Sequence, residues 1–233
     1  MKERKIHVAI ADDHKLFRQG MTEMLANDER IRVTMKAENG SDLLEQLKNK
    51  KDLPDIILMD LNMPEVDGLK ATKEINALYP SIKVIIISMY NNEQIIYNLI
   101  QSGACGFLVK DADIDEVLDA IYNIHEKGVF LDKRTTAVFE RMMEKNRHVK
   151  FKKTDLTETE EKIIRLICEQ KTNKEIADLM CFSPRTIESY KRSIHKKTKT
   201  HNTAGLVLFA ITNNMIDSLF QSNKNPGTQS AAE

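Results

Sequence analysis

An α/β doubly wound, five-stranded parallel sheet followed by a small all-α domain is the fold this sequence predicts, and three observations predict it. The first 127 residues alternate short apolar runs with segments of helical period; the remainder carries only helical patterns, with three strong helix-start signals; and the two halves differ in charge. Residues 1–127 hold 16 Lys and Arg against 22 Asp and Glu, whereas residues 128–233 hold 19 against 13, so a net charge of zero conceals an acidic half joined to a basic one. A basic face attracts phosphates and an acidic one repels them, which assigns any polyanionic partner to the second half. A length of 233 residues fits two modest domains, and 41% hydrophobic with 30% charged residues lies in the globular range. No apolar run approaches the ~18 residues of a membrane span. The apolar stretch behind Met1–Lys5 runs straight into Asp12-Asp13 instead of forming a signal-peptide core, so a cytoplasmic chain with no membrane partner is expected. Cys105, Cys168 and Cys181 share no metal or redox spacing and are expected to be buried free thiols.

Taken in order, Ile6–Ile10, Ile31–Ala37, Ile56–Met59, Val84–Ile87 and Phe107–Val109 read as strands, being short, apolar and rich in β-branched residues. Between them, Leu16, Phe17, Met21, Met24 and Leu25 are expected on one helical face, Leu43, Leu44 and Leu47 on a second, and Leu69, Thr72, Ile75 and Leu78 on a third. Asn91 is expected to cap a fourth helix ended by Gly103, and Asp113 a fifth that runs to Gly128. Strict alternation requires right-handed crossovers and a parallel sheet covered on both faces. Residues 128–153 read as a linker containing one helix, with Val138, Phe139, Met142 and Met143 on its apolar side. In the helical unit, expected over residues 154–220, Thr157-x-x-Glu160 and Thr172-x-x-Glu175 are capping boxes, and Ser183-Pro184 is an N-cap followed by proline at the first helical position. A last helix holds Leu206, Val207, Phe209, Ala210 and Ile211, and residues 221–233 form a polar tail.

In such a sheet ligands bind beyond the carboxyl ends of the strands. Asp12 and Asp13 follow the first strand, Asp60 follows the third, Ser88 ends the fourth and Lys110 the fifth. With strand order 2-1-3-4-5, strands one and three are neighbours, which brings three carboxylates together. Alone they repel, and a hard divalent ion such as Mg²⁺ is their natural partner. Lys110 adds a point cation and Ser88 a hydroxyl, so the set fits Asp60 as a carboxylate nucleophile that accepts a phosphoryl group. One at a time these residues read as helix caps, solvated turn residues and a solvent-facing lysine; together, on four strands, they read as a site.

These residues carry a resemblance. Ala11-Asp12-Asp13-His14, Leu58–Gly68 with Asp60 and Asn62, Ile87-Ser88 and Gly103–Lys110 look like the receiver domain of bacterial response regulators, a flavodoxin-like fold, over about residues 5–127 of a domain bounded at 1–127. The resemblance implies that Asp60 is the phosphoacceptor, that Asp13, Asp60 and the Asn62 carbonyl bind Mg²⁺ directly, and that Asp12 acts largely through water. It also implies that Ser88 and Phe107 are a switch pair, although Phe107 alone reads as a core aromatic. Asp111 stands where many receivers have a proline after a cis bond.

The second half has the length of a helix-turn-helix: a helix over Thr172–Met180, a turn through Cys181 and Phe182, and a basic helix from Pro184. Ser183–His201 holds six Lys or Arg against one acid, Glu188. Ile187 and Ile194 mark the buried edge, leaving Glu188, Ser189 and Arg192 for base edges and Thr186, Lys191 and Lys196 for phosphates of double-stranded DNA. Leu156–Glu160, Asn173–Ala177, Ser183–Ser189 and Ile194-x-x-Lys197 resemble the LuxR-type DNA-binding domain, and with the receiver they imply a NarL/FixJ-type response regulator. Gln170, Tyr190, Thr198 and Lys199 depart from that pattern, which bears on helix C-caps and on packing of the last helix. The implied role is a non-enzymatic one: a sensor histidine kinase phosphorylates Asp60, a homodimer forms when phosphorylated, and DNA is bound, with RNA polymerase as a further partner. The resemblance also suggests that the unphosphorylated receiver masks the recognition helix. Two readings compete. A phosphatase or mutase of the haloacid-dehalogenase-like kind needs an acid two residues after its nucleophile, where Asn62 stands. A phosphorylation-independent binding protein would have no use for the complete acid set.

Overall fold

The computed structural model describes residues 4–90, 92–146 and 155–216. Strands β1 (Ile6–Ala11), β2 (Ile31–Ala37), β3 (Ile56–Asp60), β4 (Lys83–Ser88) and β5 (Gly106–Val109) form one parallel sheet in the order β2-β1-β3-β4-β5. Side chains alternate across it. Ala9, Ala11, Ile57, Met59, Val84, Ile86, Phe107 and Val109 belong to one core, whereas Val8, Ile10, Ile56, Leu58, Ile85, Ile87 and Leu108 belong to the other. Helices α1 (Lys15–Ala26) and α5 (Ile114–Lys127) bury Met21, Leu25, Val117 and Ile121 in the second core. Helices α2 (Gly40–Asn49), α3 (Gly68–Leu78) and α4 (Glu93–Gln101) cover the first with Leu43, Leu47, Ala71, Ile75, Ile96 and Leu99.

The caps explain where these helices begin. Asp67 and Asp113 accept hydrogen bonds from the N–H groups of Lys70 and Glu116, and Gly128 ends α5 in the left-handed region. Asn91 lies outside the described residues; the cap of α4 is Asn92, whose side chain accepts from Ile95 N. Two expected helical faces are narrower than the sequence predicts. The buried stripe of α1 runs through Arg18, Met21 and Leu25, which leaves Leu16 and Met24 exposed, and that of α3 runs through Gly68, Ala71, Thr72 and Ile75, which leaves Leu78 exposed. Each helix covers only one sheet face, so apolar residues beyond the stripe meet solvent.

Helix α6 (Lys133–Asn146) buries Val138 and Phe139 and packs against α4 and against α10 (Thr203–Thr212). The side chains of Met142 and Met143 lie outside the described residues. Helices α7 (Glu158–Cys168) and α8 (Asn173–Met180) each begin with the expected capping box, and α9 (Pro184–Thr198) begins at the Ser183 cap. The departures noted above keep the helix ends in place. Gln170 and Lys199 take left-handed backbone at φ of 58° and 56°, and the following N–H groups reach Leu166 and His195 carbonyls as a glycine C-cap would allow. A side chain there costs ~1–2 kcal/mol of local strain. Tyr190 stacks on Phe182 across the turn, ring centroids 5.7 Å apart. Cys105 and Cys168 are buried free thiols, and burial pushes them up to about 11 and about 12. Cys181 is not buried: it is the exposed left-handed C-cap of α8, held at the turn between two helices. Among the described residues no helix is long and apolar enough to cross a membrane.

Candidate functional site

The alternation that builds the two cores also aims the site. Asp12, Asp60 and Lys110 follow Ile10, Leu58 and Leu108 by two residues, so their side chains continue the α1/α5 face past the ends of three strands. There they meet. Lys110 Nζ lies 2.9 Å from Asp60 Oδ2, to which it donates, and 2.7 Å from Asp12 Oδ2. Both acids are buried, at 1% and 5% exposure, and Asp12 Oδ2 has no well-directed hydrogen bond despite the nearby ammonium. Burial raises Asp60 above the ordinary carboxylate range and the charge of Asp12 adds to this, with Lys110 and the Asn62 N–H opposing. Burial disfavours charge on Lys110, but the two carboxylates outweigh it and hold its pKa above that of an ordinary lysine.

Asp13 and Asn62 sit exposed at the rim. One oxygen or nitrogen from each of Asp12, Asp13, His14 and Asp60 falls within 4.8 Å of the others, a donor set of the kind that holds a divalent cation. A buried, poorly satisfied carboxylate oxygen inside an acidic cluster fits such an ion. Ser88 is buried on the opposite parity, where its hydroxyl accepts from Tyr90 N at 3.1 Å, and Lys110 N donates to the Ser88 carbonyl. Phe107 shares Ser88's sheet face one strand away and is fully buried. The Lys110–Asp111 peptide is trans.

Three supporting residues escape a reading of sequence alone. Arg18 is buried and donates from Nη1 to the Asp12 carbonyl while its Nη2 pairs with Glu38 at 3.1 Å, pinning the turn after β1. Phe17 places its ring 4.9 Å from Lys110 Nζ. Gly68 lets the loop after β3 fold back: a Cβ there would stand 2.3 Å from the Asp60 carbonyl oxygen, and the Gly68 N–H donates to Leu61 O. In the sequence Phe17 reads only as part of an apolar helical face and Gly68 only as the end of the Leu58–Gly68 run, and nothing singles out Arg18.

In the helical unit, Ile187 and Ile194 are fully buried and Glu188, Ser189, Arg192 and Lys196 are exposed. Thr186 is half-buried and bonded to the Ser183 cap. Lys191 is not free on the surface. Its ammonium donates to Asn173 Oδ1 at 3.1 Å, and burial together with the charge of Lys83 in the sheet domain pushes it down to about 8. The two units touch elsewhere too. Asn202, the cap of α10, donates to Gly103 O at 2.5 Å and reaches Cys105 Sγ at 3.4 Å, while α10 packs on α4 and α6. Lys197 instead turns inward to Glu160, 2.7 Å away, tying α9 to α7.

Known proteins agree with this arrangement. The family described as response regulator receiver domain matches residues 8–122, and that described as bacterial regulatory proteins, luxR family, matches residues 154–210. GacA of Pseudomonas aeruginosa, a response regulator, is 30% identical over 212 residues, covering 91% of this chain and 98% of its own. The transcriptional regulatory protein DegU of Brevibacillus brevis is 27% identical over 231 residues, covering 93% and 97%. Among solved structures, the RcsB response regulator of Salmonella typhimurium aligns with a TM-score of 0.55 at 26% identity, covering 88% of this chain and 97% of that one. An RcsB–DNA complex aligns at 0.54 and 25%, covering 90% and 99%. With a carboxylate pocket at the sheet's carboxyl edge and a capped helix-turn-helix behind it, the chain belongs to the two-component response regulators of NarL/FixJ type, DNA-binding transcriptional regulators built from a receiver and a LuxR-type domain.

Proposed function

We propose that this chain regulates transcription through phosphorylation of Asp60 by a sensor histidine kinase, which controls dimerisation and DNA binding. The observation that carries the reading is the meeting of Asp12, Asp60 and Lys110 at the ends of three strands, 2.7 and 2.9 Å from a shared ammonium. Asp13, Asp60 and the Asn62 carbonyl would hold Mg²⁺, with Asp12 acting through water. When bound, Mg²⁺ supplies positive charge against the oxygens of the transferring group. The Asp60 carboxylate attacks phosphorus as the bond to the donor breaks, and Lys110 remains to pair with the new phosphoryl oxygens. Ser88, whose hydroxyl accepts from Tyr90 N, would turn toward them, and through that bond the turn would move the segment leading into α4. Phe107 then packs into the vacated space. Exposed Leu16, Met89 and Tyr90, close in sequence to Asp13 and Ser88, offer apolar surface for the donor protein. The reading places the chain in the cytoplasm, with RNA polymerase as a further partner.

Helix α10 supports the second step. Seven of its ten residues are buried between its own domain and helices α4 and α6. Movement of α4 uncovers one of these faces, and a second copy of the same helix is its natural cover in a phosphorylated homodimer. The expected test is uptake of one phosphoryl group from a small phosphodonor, read by intact mass, only when a divalent cation is present; uptake in chelator would contradict the reading.

At the recognition helix α9, positioning and reading separate. Arg192→Ala is expected to lose ~1–3 kcal/mol on the specific site and to relax preference at one base, as for a bidentate contact to guanine. Lys196→Ala is expected to weaken all sequences alike and to reduce the salt slope by about one phosphate. Glu188 either accepts from cytosine N4 or pairs with Arg185 or Arg192 on its own helix. Selection from a random DNA library decides these assignments: an unchanged motif for Arg192→Ala with an altered one for Lys196→Ala rotates the helix.

A further inference from the structure

His14 occupies the N-cap position of α1, yet its side chain makes no hydrogen bond to that helix. It turns to the carboxylates instead. Nδ1 stands 2.8 Å from Asp13 Oδ1 and 3.3 Å from Asp12 Oδ1, while the His14 N–H donates to Asp12 Oδ1 at 2.8 Å and so fixes the backbone beneath the ring. The imidazole is open to solvent at 69% side-chain exposure, so no packing holds it in this place. Ligands of a six-coordinate ion at ~2.1 Å stand ~3.0 Å apart along an octahedral edge and ~4.2 Å apart across it. The separation of Nδ1 from Asp13, the exposed acid that would bind the ion directly, matches such an edge, and the full donor set lies within 4.8 Å.

Oxygen-only pockets suit Mg²⁺, whereas imidazole nitrogen favours first-row transition ions, whose affinities rise along the series from manganese. We propose that His14 is a direct nitrogen ligand of the cation pocket and biases it toward divalent transition ions over Mg²⁺. The inference rests on reading the pocket as a divalent-cation site. It adds a specificity-determining residue to the carboxylates, and it follows from where Nδ1 points.

Mn²⁺ bound to the full chain at fixed neutral pH is the probe. Electron spin-echo spectroscopy is expected to show nitrogen-14 modulation in the wild type and none in His14→Ala. Competition titrations are expected to show the Mn²⁺-over-Mg²⁺ preference falling roughly tenfold or more in His14→Ala and in His14→Gln, on the scale known for partners of metal ligands. The exposed position of His14 means neither variant disturbs the core. Mn²⁺ that Mg²⁺ displaces and Asp13→Asn weakens, yet that shows no nitrogen modulation and an unchanged ion preference in His14→Ala, overturns the role of His14 and leaves the pocket standing. Mn²⁺ binding indifferent to Asp13→Asn and to Mg²⁺ overturns the pocket itself, and the inference with it.

Discussion

Asp60→Asn is expected to take up no phosphoryl group under conditions in which the wild-type chain is expected to take up one. The amide offers no anionic oxygen to attack phosphorus, so the effect is a complete loss rather than a graded one. The substitution also removes the repulsion between Asp60 and Asp12 and one of the two carboxylates that Lys110 holds, so the folded domain tolerates it. Intact mass after incubation with a small phosphodonor and Mg²⁺ reads the result. A variant labelled to the same extent as wild type moves the acceptor elsewhere.

The largest stability effect is expected at Glu160. Its carboxylate is 2% exposed and accepts from Thr157 N, from Ser193 Oγ at 2.8 Å and from Lys197 Nζ at 2.7 Å. Burial alone would raise its pKa, but these partners win and hold it down at about 2. Removing it leaves the Thr157 N–H and the Ser193 hydroxyl without their acceptor, so Glu160→Ala is expected to destabilise the helix-turn-helix unit by ~1–3 kcal/mol. The pH dependence has a fixed sign. A depressed pKa stabilises above the unfolded value of ~4.3, and the contribution fades as pH falls from there toward about 2. Urea unfolding of wild type and Glu160→Gln is therefore expected to differ at pH 7 and to converge toward pH 3. A gap that stays constant over that range contradicts the assignment.

Much of this was legible in the residues because alternation in a strand and capping at a helix start are local. Ile10, Leu58 and Leu108 face one core, so the residues two positions on had to leave the sheet on that side, and these are Asp12, Asp60 and Lys110. The capping boxes at Thr157 and Thr172 and the Ser183-Pro184 start appear where the sequence predicts them. Contacts between distant segments were not legible. Glu160 reads as a capping residue and is also the buried anchor for Lys197, 37 residues away. Lys191 reads as a surface phosphate contact, yet its ammonium donates to Asn173 of the preceding helix, and burial with the repelling charge of Lys83 in the sheet domain lowers its pKa. The exposure of Leu16, Met24 and Leu78 has the opposite cause: a periodicity broader than the face each helix had to cover.

Control of DNA binding by the phosphate is the central claim, and the dissociation constant of the full chain for duplex DNA at one salt concentration tests it most directly. Measured before and after phosphorylation, together with the molecular mass in solution, the wild type is expected to bind more tightly once phosphorylated and to do so as a dimer, while Asp60→Asn treated in the same way stays at the unphosphorylated value. A phosphorylated chain that remains monomeric and binds DNA no more tightly than before would contradict the account.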